Sequence, residues 1–193
     1  MIRSLKLAAA VFAAALVLVS AQGMAQVDLL QSWNDGPAKR SIVSLVKAAT
    51  DTSSPGYVAP EDRIATFDND GTLWVSHPMY AQGVFVIDQV RAMAGRHPEW
   101  RRSRTFRAIL SGNMETCSRF TETDWATIGA SVFAGMTTDE YAAIAGQWLE
   151  TAMHPRFRRP YTQLAYQPML ELLAYLRANG FKTYIVTGGG QDF

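Results

Sequence analysis

The stretch that decides the fold is "RIATFDNDGT", Arg63 to Thr72. In it a short apolar run, Ile64–Phe67, leads into two acids, Asp68 and Asp70, which are separated only by Asn69. Such a run, bounded by turn-forming residues, predicts a buried strand that ends at Asp68. Because carboxylates repel each other and are costly to bury, the two acids either lie in a solvated turn or bind a cation.

A second stretch, "FKTYIVTGGG", predicts another buried strand, Lys182–Thr187, which runs into a glycine turn. The segment Pro168–Ala178 precedes it and predicts a helix, with proline in the first turn and Gly180 after the end. More than a hundred residues separate the two strands, although a single helix would be enough to connect neighbouring parallel strands. We therefore expect an α/β fold with a parallel sheet, in which 168–178 is the crossover helix and the earlier helices are an insertion.

The insertion divides the predicted chain into a core, residues 26–75 and 167–193, and a helical cap, residues 76–166. One cap helix is expected at Met79–Ala94, and another starts with a capping box formed by Thr137 and Glu140. The inward face of the first helix is predicted to consist of four apolar residues: Val84, Phe85, Ile87 and Val90. Three aromatic residues have spacings that favour packing inside the cap over a ligand cage: Trp125, Tyr141 and Trp148.

The N-terminus has the pattern of a secretory signal peptide. Arg3 and Lys6 precede the apolar run Leu7–Val19, and small residues follow it. We expect residues 1–25 to be removed and the mature protein to be periplasmic or secreted, without a membrane anchor. After the signal, Pro37 is expected to begin a helix whose apolar face consists of Ile42, Val43, Leu45 and Val46.

The residues at the strand ends suit the chemistry of phosphate transfer. In open α/β sheets ligands bind beyond the carboxyl ends of the strands, where Asp68 and Thr187 are expected to meet. A carboxylate can attack phosphorus, and a second acid two residues later can donate a proton to the leaving oxygen. At 4 Å, a carboxylate and a phosphate dianion repel each other by on the order of 8 kcal/mol at an effective dielectric constant of 20. A hard cation such as Mg²⁺, bound by Asp68, would offset this repulsion.

The motifs "DNDGT" and "IVTGGG", more than a hundred residues apart, resemble those of the haloacid dehalogenase superfamily. The resemblance is to its exported bacterial phosphatases with a helical cap after the first motif, and it implies a Rossmann-like core. It implies that Asp68 is the nucleophile and a metal ligand, and that Asp70 is the acid and base and lends its carbonyl to Mg²⁺. Thr187 is implied to bind phosphate. The further candidates for phosphate binding are Gly188, Gly71 and Thr72.

The family pattern continues with a lysine and a later acidic motif, for which residues would have to follow Phe193. We therefore expect the sequence to be the N-terminal part of a longer enzyme, with a core incomplete at its C-terminus. This fragment by itself is expected to be inactive.

Three functions are compatible with these residues. The first is a Mg²⁺-dependent phosphomonoester hydrolase that acts on a small phosphorylated substrate. A C–halogen hydrolase is disfavoured, because a halide leaves unprotonated and Asp70 would have no task. A non-catalytic remnant or binding protein is the third. Nucleic-acid binding through bulk charge is disfavoured by a formal net charge of only +1.

Overall fold

The computed structural model describes residues 28–193, so the predicted signal peptide and its cleavage site lie outside the described residues. Within this range no helix is both long and apolar enough to cross a membrane. Seven α-helices and two strands are formed by the described residues, in the order α1 (Pro37–Thr50), β1 (Ile64–Phe67), α2 (Ala81–Met93), α3 (Arg104–Leu110), α4 (Met114–Cys117), α5 (Glu122–Phe133), α6 (Thr138–Thr151), α7 (Gln167–Ala178) and β2 (Lys182–Ile185).

The two strands form a parallel sheet, as predicted. Ile64 is paired with Lys182 and Phe67 with Ile185, and the backbone N–H of Val186 adds one more hydrogen bond to the carbonyl of Phe67. Helix α7 directly precedes β2 and is therefore the crossover helix. Helices combined with a parallel sheet confirm the α/β, Rossmann-like fold class.

The prediction that both strands are buried is wrong for the described residues. Ile64 is 55% exposed and Ile185 is 58% exposed, whereas Ala65 and Phe67 are half-buried. The reason is that the sheet has two strands in this part of the chain and packs on one face only. Successive side chains of a strand point to opposite faces, so every second residue of β1 stays in solvent.

Helices α1 and α7 cover the packed face of the sheet. Their cluster consists of Leu30, Val46, Leu172 and Leu176, and Ala65 and Phe67 of β1 pack against it. Leu45 was predicted to belong to the inward face of α1, but it is 66% exposed, and Ala49 is buried instead. Val46 and Ala49 are one turn apart, which places the buried stripe of α1 to one side of Leu45.

Helices α2 to α6 bury a second hydrophobic cluster, which is separate from the one on the sheet. Phe85 is its centre, with its ring within 6 Å of Phe133, Tyr141 and Trp148. Packing of the predicted aromatic residues Trp125, Tyr141 and Trp148 against this cluster is confirmed. The predicted inward face of α2 is correct for three of its four residues. Val84 is half-buried, and Val86 is buried in its place.

Two capping boxes begin consecutive helices of the helical segment, which comprises α2 to α6. The predicted box of Thr137 and Glu140 at the start of α6 is confirmed, with each side chain bonded to the other residue's backbone N–H. Thr121 and Asp124 form a second box at the start of α5. Each box satisfies backbone donors that a helix N-terminus otherwise leaves without a partner.

The chain segments that lead out of β1 and back to α7 are bonded to each other. The N–H of Val75 donates to the carbonyl of Leu164, and the N–H of Tyr166 donates to the carbonyl of Leu73. Farther along, the buried His154 accepts the backbone N–H of Arg156 at Nδ1 and donates from Nε2 to the carbonyl of His77, at 2.8 Å. The two connecting segments, one before α2 and one after α6, therefore lie side by side.

Candidate active site

The first acid lies where β1 ends. Asp68 is exposed, and its Oδ1 accepts the backbone N–H of Asn69 at 2.8 Å. The carbonyl of Asn69 in turn accepts the N–H groups of Thr72 and Leu73, which closes the turn behind the acid. This turn leaves the carboxylate of Asp68 at the solvent edge of the sheet, where a ligand has access to it.

The second acid is held by a tryptophan that the sequence analysis did not single out. Asp70 is half-buried, and its Oδ1 accepts the indole N–H of Trp74 at 2.9 Å. The backbone supports this contact, because the N–H of Gly71 donates to the carbonyl of Trp74 at 2.9 Å. Trp74 therefore holds Oδ1 of Asp70, while Oδ2 has no hydrogen bond from the described residues. Its position four residues after the acid, in "DNDGTLW", was the available signal.

Gly71 is required by the shape of this turn. Its φ is +79°, a conformation that residues with a side chain seldom adopt. A Cβ atom at this position would also lie 3.0 Å from the hydroxyl of Ser76. Thr72, the next candidate, is half-buried in the same turn. Both residues therefore shape the loop that carries the two acids.

The second glycine-containing turn lies at the same edge of the sheet. Because Phe67 is paired with Ile185 in parallel register, Asp68 and Val186 both follow the last strand pair, and Thr187 comes next. Thr187 is exposed, and its hydroxyl accepts the N–H of Gly189 at 3.1 Å. A Cβ at Gly188 would meet nothing within 4 Å, so there is open space beside this backbone. The fold thus brings the two predicted motifs to one edge, although Asp68 and Thr187 are bonded within their own turns.

The residues present fit a hard divalent cation. Asp68 and Asp70 offer carboxylate oxygens, and the carbonyl of Asp70 accepts no hydrogen bond from the described residues. Mg²⁺ is usually bound by one or two carboxylates, with water and substrate phosphate completing its shell. Within residues 28–193 there is no cluster of three His, Cys, Asp or Glu residues placed to bind a metal. Asp68 and Asp70 are therefore candidate metal ligands.

One further side chain reaches the glycine turn from the helical segment. Gln82, in the first turn of α2, accepts the N–H of Gly190 at 3.0 Å. No sequence pattern points to Gln82, because a single glutamine near a helix start is not distinctive.

Comparison with known proteins identifies the family of the chain. No curated protein has significant similarity to the chain. The family model described as haloacid dehalogenase-like hydrolase matches residues 65–193, from the second residue of β1 to Phe193. This match covers both turns at the sheet edge and the helices between them, and it extends over more than half of the sequence. The chain therefore belongs to the haloacid dehalogenase-like hydrolase family.

Proposed function

We propose that the protein is a Mg²⁺-dependent phosphomonoester hydrolase that forms an aspartyl-phosphate intermediate on Asp68. The observation that carries the proposal is the parallel register of β1 and β2, which puts Asp68 and the Thr187–Gly190 turn at one edge of the sheet. This arrangement supports Asp68 as a nucleophile whose phosphate would be bound by the hydroxyl of Thr187 and the N–H of Gly188. Asp70, one residue beyond Asn69, adds an acid within the same loop.

The reaction proceeds in two steps. In the first, a carboxylate oxygen of Asp68 forms a bond to phosphorus while the bond from phosphorus to the substrate's ester oxygen breaks. Asp70 Oδ2 gives its proton to that leaving oxygen, so an alcohol departs. In the second, Asp70 takes a proton from water as the water oxygen bonds to phosphorus and the bond from phosphorus to the Asp68 oxygen breaks, which releases inorganic phosphate and restores the Asp68 carboxylate. Thr187 and the N–H of Gly188 bind the phosphate oxygens throughout.

Mg²⁺ would be held by the carboxylate of Asp68 and the carbonyl of Asp70, and it would supply positive charge that offsets the repulsion between carboxylate and phosphate. The substrate is a small phosphomonoester, and the helical cap, residues 76–166, is proposed to select it. The proposed location is the periplasm or the cell exterior, because of the charged and apolar residues at positions 3–19.

Two substitutions in the full-length enzyme test the proposal against a panel of phosphomonoesters, assayed with and without Mg²⁺. Asp68→Asn removes the nucleophile and a metal ligand, so turnover is expected to fall at least ~10³-fold. Asp70→Asn is expected to slow hydrolysis of alkyl phosphates more than that of aryl phosphates, because protonation helps a basic leaving group most. More than a tenth of the original turnover in Asp68→Asn would rule out the assigned nucleophile.

A further inference from the structure

The glycine turn at the sheet edge contacts the helical segment through the amide side chain of Gln82, and Phe193, which follows the turn, packs its ring against Phe85 of that segment. The N–H of Gly190 donates to Gln82 Oε1 at 3.0 Å, and Gln82 Nε2 donates to the hydroxyl of Tyr141 at 3.2 Å. The ring of Tyr141 packs edge-on against Phe85 and Phe133, inside the cluster of the helical segment. Gln82 therefore has both its acceptor and its donor engaged, and its partner Tyr141 is itself held by packing.

The space around the three glycines agrees with this attachment. A Cβ at Gly190 would lie 2.7 Å from Gln82 Nε2, and a Cβ at Gly189 would lie 3.2 Å from Gln82 Oε1. At Gly188, by contrast, a Cβ would meet nothing within 4 Å. At Gly190 the turn thus lies against Gln82 with no room for a side chain, whereas at Gly188, next to Thr187, it lies beside open space.

We infer that Gln82 is a positioning residue for phosphate binding: by holding Gly190, it keeps the N–H of Gly188 and the hydroxyl of Thr187 presented beside Asp68. This inference rests on the proposed function, which gives the turn its ligand. A turn of three glycines has many accessible backbone conformations, and fixing one of them costs conformational free energy. The hydrogen bond to Gln82 orders the turn before phosphate binds. The protein should therefore bind phosphate more tightly with this hydrogen bond than without it.

Amide hydrogen exchange at Gly190 tests the contact directly and requires no turnover. Gln82→Met keeps the length of the side chain but removes the acceptor, so the N–H of Gly190 should exchange about two- to tenfold faster. Gln82→Glu retains an acceptor, so in this variant the N–H of Gly190 should exchange at nearly the original rate. Gln147→Met, at an exposed position on α6, is the matched control and should leave this amide unchanged. If Gln82→Met does not fold, Tyr141→Phe removes the other partner of Gln82 and should also speed the exchange.

Titration with inorganic phosphate in the presence of Mg²⁺ then tests the role. The Kd for phosphate should rise about two- to tenfold in Gln82→Met and stay constant in Gln147→Met. Unchanged exchange at Gly190 in both Gln82→Met and Tyr141→Phe would refute the contact. Faster exchange with an unaltered phosphate Kd would refute the positioning role while leaving the proposed hydrolase intact. Absence of phosphate binding by the original protein would instead overturn the proposed function, and the role of Gln82 with it.

Discussion

Trp74→Phe is the substitution that best isolates the proposed acid role of Asp70. It removes the indole N–H that donates to Asp70 Oδ1 at 2.9 Å and retains an aromatic ring at the half-buried site. A hydrogen bond to a charged acceptor contributes about 1.5–3 kcal/mol, and the partial exposure of this pair favours the lower end. A loss of about 1.5 kcal/mol in the transition state corresponds to about a tenfold lower rate.

The assay compares kcat for an alkyl phosphate and an aryl phosphate. Because Trp74 acts through the acid, Trp74→Phe should lower kcat about tenfold for the alkyl substrate and less than about threefold for the aryl substrate. In an Asp70→Asn background the same change should have little further effect, since residues that act through one another are not additive. Equal losses on both substrates, or a full tenfold loss in the Asp70→Asn background, would refute the coupling of Trp74 to Asp70.

Two other predictions concern stability. Phe85→Ala should lower the free energy of unfolding by about 3–5 kcal/mol in chemical denaturation, because this fully buried ring contacts several others, whereas Leu45→Ala at an exposed site should cost far less; similar losses would contradict the packing described. Hydrogen bonds from Ser32, chiefly from its hydroxyl and also from its backbone N–H, hold the pKa of Glu171 below its ordinary value. The carboxylate therefore stabilises the folded protein at pH values above that ordinary pKa. Glu171→Gln should therefore be less stable than the original protein at neutral pH, with the difference vanishing as the pH falls through the lowered pKa; a difference that persists in acid would contradict this assignment.

Local sequence patterns identified the elements that determine the topology. The strand at Ile64–Phe67, the crossover helix and the capping box at Thr137 each depend on residues within one short stretch, so their signals survive without tertiary information. Burial of the strands could not be predicted in the same way. An apolar run shows that a strand can be buried, but the number of neighbouring strands determines whether it is, and Ile185 remained in solvent.

The same distinction applies to the site. Asp68, Asp70 and Thr187 lie in recognisable motifs. The prediction of two neighbouring parallel strands was enough to predict that the carboxyl ends of both strands share one edge of the sheet. The contact of Trp74 with Asp70 spans four residues and could have been suspected from the sequence, whereas the contact of Gln82 forms only when the chain is folded. Gln82 meets Gly190 across more than a hundred residues, and no local pattern encodes that distance.

The bonds that tie the segment before α2 to the segment after α6 also bear on how the chain folds. Strand β1 can pair with β2 only after a loop of more than a hundred residues closes, and such distant pairings are slow to form. If the helices between them assemble first, the bonds of Val75 to Leu164 and of Tyr166 to Leu73 shorten the remaining loop to roughly twenty residues. The free-energy cost of closing the loop then falls by about 1.4 kcal/mol. The helical segment would thus act as a folding nucleus for the sheet, and substitutions within it should slow refolding as well as weaken the native state.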